Sequence, residues 1–343
     1  MAITQADVAR HAGVSRALVS LVMRDSPSVS PARREAVLQA ARELGYRPNA
    51  HAARLASHRS KVLGLVITEL ENPIFAEVMF VAEREAARLG YDILPTLGRD
   101  AAKEHEAVNR LLGHRVDGIV LLGSRLDPDE VRSLSLQIPL VVTGRTIDGV
   151  DSVAVDGTLG ARLVVDHLAS LGHRRIAHID GGKSAGTTNR RDGYLEAMAA
   201  HGLHRQTRVV PGGPAEADGI AATEEMLSEQ QAPTAIFAFN DMCAAGALSV
   251  ARHHAIDVPN DLALVGFDDT SISALRCIDL TTVSQPREEL GTGSVSALFE
   301  RIADPSRLAR STLVAPSLVV RSTTELPKDE FSVQSRQRDT LTA

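Results

Sequence analysis

The sequence predicts a small all-α head, built as a helix-turn-helix, on a two-lobed α/β body of parallel sheets. Three observations lead there. Residues 4–55 read as short helices with clear start and stop signals. Basic charge is concentrated in the same stretch. From Lys61 onward, short apolar runs alternate with helical stretches, and the alternation occurs twice.

The head is legible helix by helix. Thr4 with Asp7 fits a capping box, in which the hydroxyl takes an orphan N–H and the carboxylate reaches back, so a helix starts here and runs to about His11. Gly13 permits the tight turn between crossed helices. Ser15 is placed to cap a second helix, Arg16 to about Met23. Ser30 before Pro31 is a cap followed by proline at the first helical position, where its missing N–H costs nothing. Val37, Leu38, Ala41 and Leu44 share one face of that third helix, and Gly45 ends it. Val8, Ala9, Val14, Val19 and Val22 supply the faces that pack against it. Pro48 and Asn49 then start a fourth helix of about two turns, too short to be stable alone in water.

Charge assigns the head a partner. Residues 1–60 carry nine arginines against four acids, a net of +5, whereas the whole chain is −6. A basic head on an acidic body suggests that the head alone binds a polyanion, and the coincidence of that charge with the helix-turn-helix spacing points to double-stranded DNA.

In the body, residues 62–68, 91–96, 116–122 and 139–143 read as buried strands, with helices over about 73–89, 100–113 and 127–137. The rhythm returns with strands at 174–180, 234–239 and 262–266. Such alternation means parallel sheets covered on both faces, and two sets of strands imply two lobes. Ligands of such sheets bind beyond the carboxyl ends of the strands, which makes the cleft between lobes the expected site. Polar residues collect at those ends: Asn72 (with Phe75 close behind), Arg145, Arg191, Asn240, Asp268 and Gln285. Carboxylate and amide oxygens there can accept from hydroxyls, Arg and amide N–H groups can donate, and Phe75 offers an apolar face to a sugar ring. Structural roles are the competing reading: Asp268 as a helix cap, Arg191 as a partner of Asp192. Asp156 sits at the first crossover between lobes, either touching ligand or fixing the crossover.

Composition bounds the remaining possibilities. The 343 residues are 44% hydrophobic, enough for two cores, while aromatics are 3% and Trp is absent, so a ligand finds few rings to stack on. Cys243 and Cys277 fit no CxxC pattern, and the first residues form a polar helix instead of a signal peptide; the expectation is a reduced, cytoplasmic protein. No apolar run approaches 18 residues, so no membrane is expected. GGKS at 181–184 does not complete a phosphate loop, because the earlier glycine would fall on Ala177. No HExxH and no GxSxG is present. No cofactor, metal site or catalytic residue is expected, and the chain is not read as an enzyme.

These residues carry a resemblance. DVARHAGVS, the VS at 19–20, VSPARR and LGYRPNAHAARLA resemble the DNA-binding head of the lactose/galactose repressor (LacI) family. ENPIFAEV at 71–78, VDG at 116–118, LGHRRI at 171–176, RRDGY at 190–194, FND at 239–241, VGFDD at 265–269 and VSQP at 283–286 extend it across the body, which resembles the type I periplasmic-binding-protein fold. The resemblance implies a head over 1–47, a hinge helix and linker over 48–60, and an effector-binding and dimerisation body over 61–326. Within the body it implies an N-lobe of about 62–156 and 287–315 and a C-lobe of about 157–286 and 316–326. Residues 327–343 are left as a polar tail expected to be disordered.

It implies roles as well. Arg16, Ala17 and Leu21 face base edges in the major groove, Arg16 donating to guanine and the other two offering apolar contact. Thr4, Ser15, Ser20, Ser30, Arg33 and Asn49 belong to the DNA-contacting set, and Leu55 wedges into the minor groove at the central base step. The family usually has Thr at 18 and 33; Leu18 removes one phosphate contact and Arg33 offers another. The polar strand-end residues resemble the sugar-contacting set of pentose- and hexose-binding members. The expected protein is therefore a repressor that binds a pseudo-palindromic operator as a homodimer under control of a sugar or polyol, the alternative being a purine or nucleoside co-repressor in the same cleft. The helix at about 74–89 supplies much of the dimer face by this resemblance, and the absence of a leucine heptad in the tail argues against a tetramer.

Overall fold

A computed structural model describes residues 3–23, 26–46 and 59–324. The readings for Asn49, Leu55, the hinge helix and the polar tail fall outside these residues. The chain divides into two compact units, Met1–Lys61 and Val62–Ala343.

In the first unit, α1 (Gln5–His11), α2 (Arg16–Met23) and α3 (Pro31–Leu44) enclose a core in which Val8, Val19 and Val37 have no exposed surface. The capping box forms as expected: Thr4 N–H donates to Asp7 at 2.9 Å and Asp7 N–H donates back to Thr4 Oγ1 at 3.4 Å. Ser15 Oγ accepts from Leu18 N–H at 3.2 Å. Ser30 differs. It occupies the cap position of α3, but its hydroxyl makes no capping bond. Pro31 already removes one of the donors a cap would serve, which lowers the demand. Gly45, at φ 65°, closes α3 by letting Tyr46 N–H reach the Ala41 carbonyl at 2.8 Å.

The second unit contains two six-stranded sheets. One runs β11-β5-β4-β3-β1-β2, all parallel, from β1 (Val62–Ile67), β2 (Asp92–Leu97), β3 (Gly118–Leu122), β4 (Leu140–Thr143), β5 (Asp151–Val155) and β11 (Ser311–Val314). The other runs β12-β10-β9-β8-β6-β7, from β6 (Ile176–Ile179), β7 (Arg208–Val210), β8 (Ala235–Phe237), β9 (Ala263–Asp268), β10 (Thr281–Ser284) and β12 (Ser317–Val319). Only β12 pairs antiparallel, against β10. Helices α4 (Pro73–Arg88), α5 (Ala101–Gly113) and α6 (Pro128–Ser135) follow strands of the first sheet, and α11 (Arg287–Ala303) also packs on it and on α4. Around the second sheet lie α7 (Gly157–Ser170), α8 (Thr187–Ala200), α9 (Glu216–Leu227) and α10 (Asp241–His253).

Strands β5, β7, β10, β11 and β12 carry no continuous apolar run, and sequence patterning did not find them. β5 shows why. It opens on Asp151, which is buried yet held by Arg301 at 2.8 Å, Arg307 at 2.9 Å and the N–H of Arg310 at 2.8 Å. These partners lie about 150 residues away in sequence, so a polar start looks like a loop until the fold supplies them.

The chain passes between sheets after β5, after β10 and after β11. Asp156 stands at the first passage. Its carboxylate caps α7 by accepting from Leu159 N–H at 2.9 Å, and its own N–H donates to the Val314 carbonyl at 2.9 Å. Of the two roles left open for it, the crossover role is the one these contacts serve.

Candidate ligand cleft and nucleic-acid interface

The two sheets of the body present their carboxyl ends to a common cleft, as the parallel order requires. Of the residues expected there, Asn72, Phe75, Asn240, Asp268 and Gln285 line it, together with Thr68, Glu69, Arg125, Arg190 and Phe239. Asp268 is the centre. It ends β9 and is 2% exposed. Its carboxylate accepts from Asn72 Nδ2 at 2.7 Å and Gln285 Nε2 at 2.5 Å, and Arg190 lies 3.5 Å away. Asn72 belongs to the first sheet's side of the cleft and Asp268 to the second, so their bond ties the lobes together. Asp268 also holds φ 118°, a backbone region costly to any residue but glycine; such strain, about 1–3 kcal/mol, persists only where surroundings overdetermine it.

Arg190 explains much of that overdetermination. Its guanidinium donates to the Phe239 carbonyl at 2.5 Å and lies over the Phe267 ring at 3.6 Å and the Phe239 ring at 4.5 Å. Burial pulls the Arg190 pKa down and pushes that of Asp268 up; their mutual attraction opposes both shifts, and the Asn72 and Gln285 donors further oppose that of Asp268. Asp241, behind Asp268, is pushed up to about 8 by burial first and then by the Asp268 charge, against hydrogen bonds from Thr282 and Thr270. It therefore takes up a proton more readily than an ordinary carboxylate.

Two expected residues are placed elsewhere. Arg191 does not line the cleft; Arg190 does. On α8 the buried positions include Thr187, Arg190, Tyr194 and Ala197, and a step of one residue turns a side chain by about 100° to the outer face. Arg191 accordingly pairs with Asp192 at 3.5 Å and is 39% exposed, the structural role weighed against the ligand role above. Arg145 is also displaced. Gly144 turns the chain after β4 at φ 97° and lines the cleft itself, while Arg145 donates to the Leu126 carbonyl and lines an adjoining pocket.

Two residues within the cleft do structural work at the same time. Asn240 caps α10 through Cys243 N–H at 2.8 Å and donates to the Pro214 carbonyl at 3.0 Å. Asn72 caps α4 through Ile74 N–H at 3.2 Å while its amide donates to Asp268. Phe75 packs where Gly123 leaves room: a Cβ on Gly123 would lie 2.3 Å from the Phe75 ring. Arg125, missed by sequence reasoning, pairs with Glu69 at 3.2 Å. It follows the end of β3, where the strand-end rule would have found it. Burial raises the Glu69 carboxyl, and Arg125 opposes the rise.

On the head, Arg16, Ala17 and Arg33 are exposed, as are Thr4, Ser15 and Ser30. Ser20 and Leu21 are partly buried, and Leu21, like Leu18, packs partly against the head core. The outward side of α2 thus presents Arg16 and Ala17, while Val19 and Val22 turn inward.

Known proteins share this arrangement. Residues 4–49 match the family described as bacterial regulatory proteins, lacI family, and residues 165–324 match the periplasmic binding protein-like domain. The HTH-type transcriptional regulator GalR of Escherichia coli (strain K12) is 35% identical over 333 residues, spanning 95% of this chain and 97% of that protein. The crystal structure of the lac repressor dimer bound to operator and the anti-inducer ONPF superposes with a TM-score of 0.86 at 29% identity, covering 94% of this chain and 99% of that one. A transcriptional regulator CelR–cellobiose complex is 31% identical with a TM-score of 0.71, covering 94% of this chain and 99% of that chain. A three-helix head with an outward-facing second helix, a two-sheet body with a polar interlobe cleft, and these likenesses over nearly the whole length establish one conclusion: the chain is a DNA-binding transcriptional regulator of the LacI family, not an enzyme.

Proposed function

We propose that this regulator acts in the cytoplasm as a homodimeric repressor on a pseudo-palindromic operator, and that a small sugar or polyol in the interlobe cleft controls its affinity. The observation that carries the effector half is the bond from Asn72 to Asp268 across the cleft. A hydroxyl-rich ligand can accept from Asn72, Gln285 and Arg190 and donate to Asp268, exchanging one set of hydrogen bonds for another. Occupancy then changes the separation of the lobes without leaving a buried carboxylate bare. The CelR complex holds cellobiose, a molecule of this chemistry.

The DNA half rests on α2, where Arg16 and Ala17 are exposed, and on the lac repressor dimer seen on its operator. Two-fold symmetry of the protein matches two half-sites. Phe80, on the outer face of α4, is 65% exposed, and covering it in a dimer removes that apolar area from water. Arg145 and Arg191 are withdrawn from the set that touches a neutral effector, and Arg190 and Arg125 take their place. Operator and effector affinities are linked, so each shifts the other by the same factor.

The test is duplex binding against salt, with and without a panel of sugars, polyols and nucleobases. Affinity should fall steeply as salt rises, and at least one polyhydroxyl compound should change it. Salt-independent binding to every duplex would overturn the operator reading. A response confined to nucleobases would overturn the sugar reading.

A further inference from the structure

The loop joining β6 to α8, which contains GGKS at 181–184, does not make a phosphate loop by sequence. In the fold it forms one wall of a second pocket, whose other wall is Ser124, Arg125, Arg145 and Thr146. The two pockets adjoin: Arg125, Ser184 and Ala185 line both this one and the cleft. Three cations face the second pocket, Arg125, Arg145 and Lys183, and no carboxylate lines it.

Their charges are only partly answered. Glu69 pairs with Arg125. Glu104 and Asp127 act on Arg145 through space, but it makes no ion pair among the described residues. Glu104 itself is fully buried and committed to Ser124 Oγ at 2.6 Å and Arg125 N–H at 2.7 Å. Lys183 is exposed and carries no partner among the described residues. The Nε atoms of Arg125 and Arg145 are buried without a hydrogen-bond partner. So is Nε of Arg190, whose side chain is 6% exposed and which faces the same loop, 3.8 Å from the Cβ position of Gly186. Buried donors left unpaired are costly, and two of these belong to arginines that line the second pocket.

We infer that this pocket is an oxyanion subsite: the effector in the cleft carries a phosphate or carboxylate group that Arg125, Arg145 and Lys183 receive. The inference rests on the cleft being the effector site and narrows its ligand from a neutral sugar to an anionic one. Arginine suits the task because its planar fork matches a tetrahedral or planar oxyanion, and charge-assisted bonds are about twice as strong as neutral ones. The start of α8 adds its partial positive charge on the same side, Gly186 supplying no side-chain cap to neutralise it.

The test uses the full-length protein and simple anions. Calorimetric titration with inorganic phosphate and with acetate, against chloride at matched ionic strength, should show saturable binding of at least one oxyanion. Binding of phosphate alone assigns a phosphoryl group; binding of acetate as well assigns a carboxylate. Arg145→Gln and Lys183→Glu should each weaken that binding about tenfold, ~1.4 kcal/mol. Arg145→Lys should recover part of it. Lys183 is exposed, so its variant tests the subsite even where the Arg145 variant folds poorly. Neither oxyanion binding better than chloride, or both variants binding like the parent protein, would overturn the inference. Neither result depends on the response of operator affinity to neutral sugars, so failure of the subsite and failure of the cleft remain separable.

Discussion

Arg190→Ala and Arg191→Ala remove the same side chain from adjacent positions and should have very different consequences. Arg190 is buried against Asp268, donates to the Phe239 carbonyl and lies over the Phe267 ring. Its removal leaves a buried carboxylate hydrogen-bonded by the amides of Asn72 and Gln285, with Arg287 acting on it through space. Breaking a buried pair from one side costs about 3–5 kcal/mol. The cation–π contact is part of the same loss and not an addition to it. Arg191, 39% exposed and paired with Asp192 across 3.5 Å, is screened by water, and its loss should cost under about 1 kcal/mol. Urea unfolding at pH 7 measures both. A second feature follows from the charge left behind: without Arg190, Asp268 takes up a proton more readily, so the gap between parent and variant should narrow as pH falls. An Arg190→Ala loss below about 1 kcal/mol, or one equal to that of Arg191→Ala, would refute the placement of Arg190 as the buried cation facing Asp268.

Two other outcomes can be measured directly. Arg16→Ala should relax preference at one base pair per half-site by about 1–3 kcal/mol and leave non-specific binding almost unchanged. Competition titrations over single-base operator variants would show this, and equal loss on every sequence would reassign Arg16 to the phosphate backbone. Asp241 should make stability depend on pH. Its folded pKa, about 8, lies above the unfolded value, so the folded state holds a proton that the unfolded state has released. The stability it contributes is complete below the unfolded pKa near 4 and is lost as pH rises through about 8. Relative to Asp241→Asn, which cannot titrate, the parent protein should lose stability across that window, and a gap that stays constant with pH would remove Asp241 as its source.

What could be read from the sequence follows the range of the interactions involved. The caps at Thr4 and Ser15 and the turn at Gly45 are local, each satisfied within a few residues, and they form as their spacing implies. The central strands declare themselves because both faces are buried and their runs are uniformly apolar. Asn72, Phe75, Asn240, Asp268 and Gln285 reach the cleft because the end of a parallel strand is a position that sequence order alone supplies. The misses need information from farther away. β5 is buried through partners about 150 residues distant. Choosing between Arg190 and Arg191 needs the phase of α8 against β6, and Thr187, Tyr194 and Ala197 supply it: all three are buried, and the Tyr194 hydroxyl donates to the Ile176 carbonyl at 2.7 Å. At about 100° per residue, Arg190 lies within about 30° of the centre of the face that Thr187, Tyr194 and Ala197 define, and Arg191 about 70° from it, so Arg190 turns inward and Arg191 out. The buried face of α8 thus decides which of two identical side chains meets Asp268, and reading it takes Thr187 and Ala197 as well as Tyr194, because Tyr194 alone stands at helical spacing from both arginines.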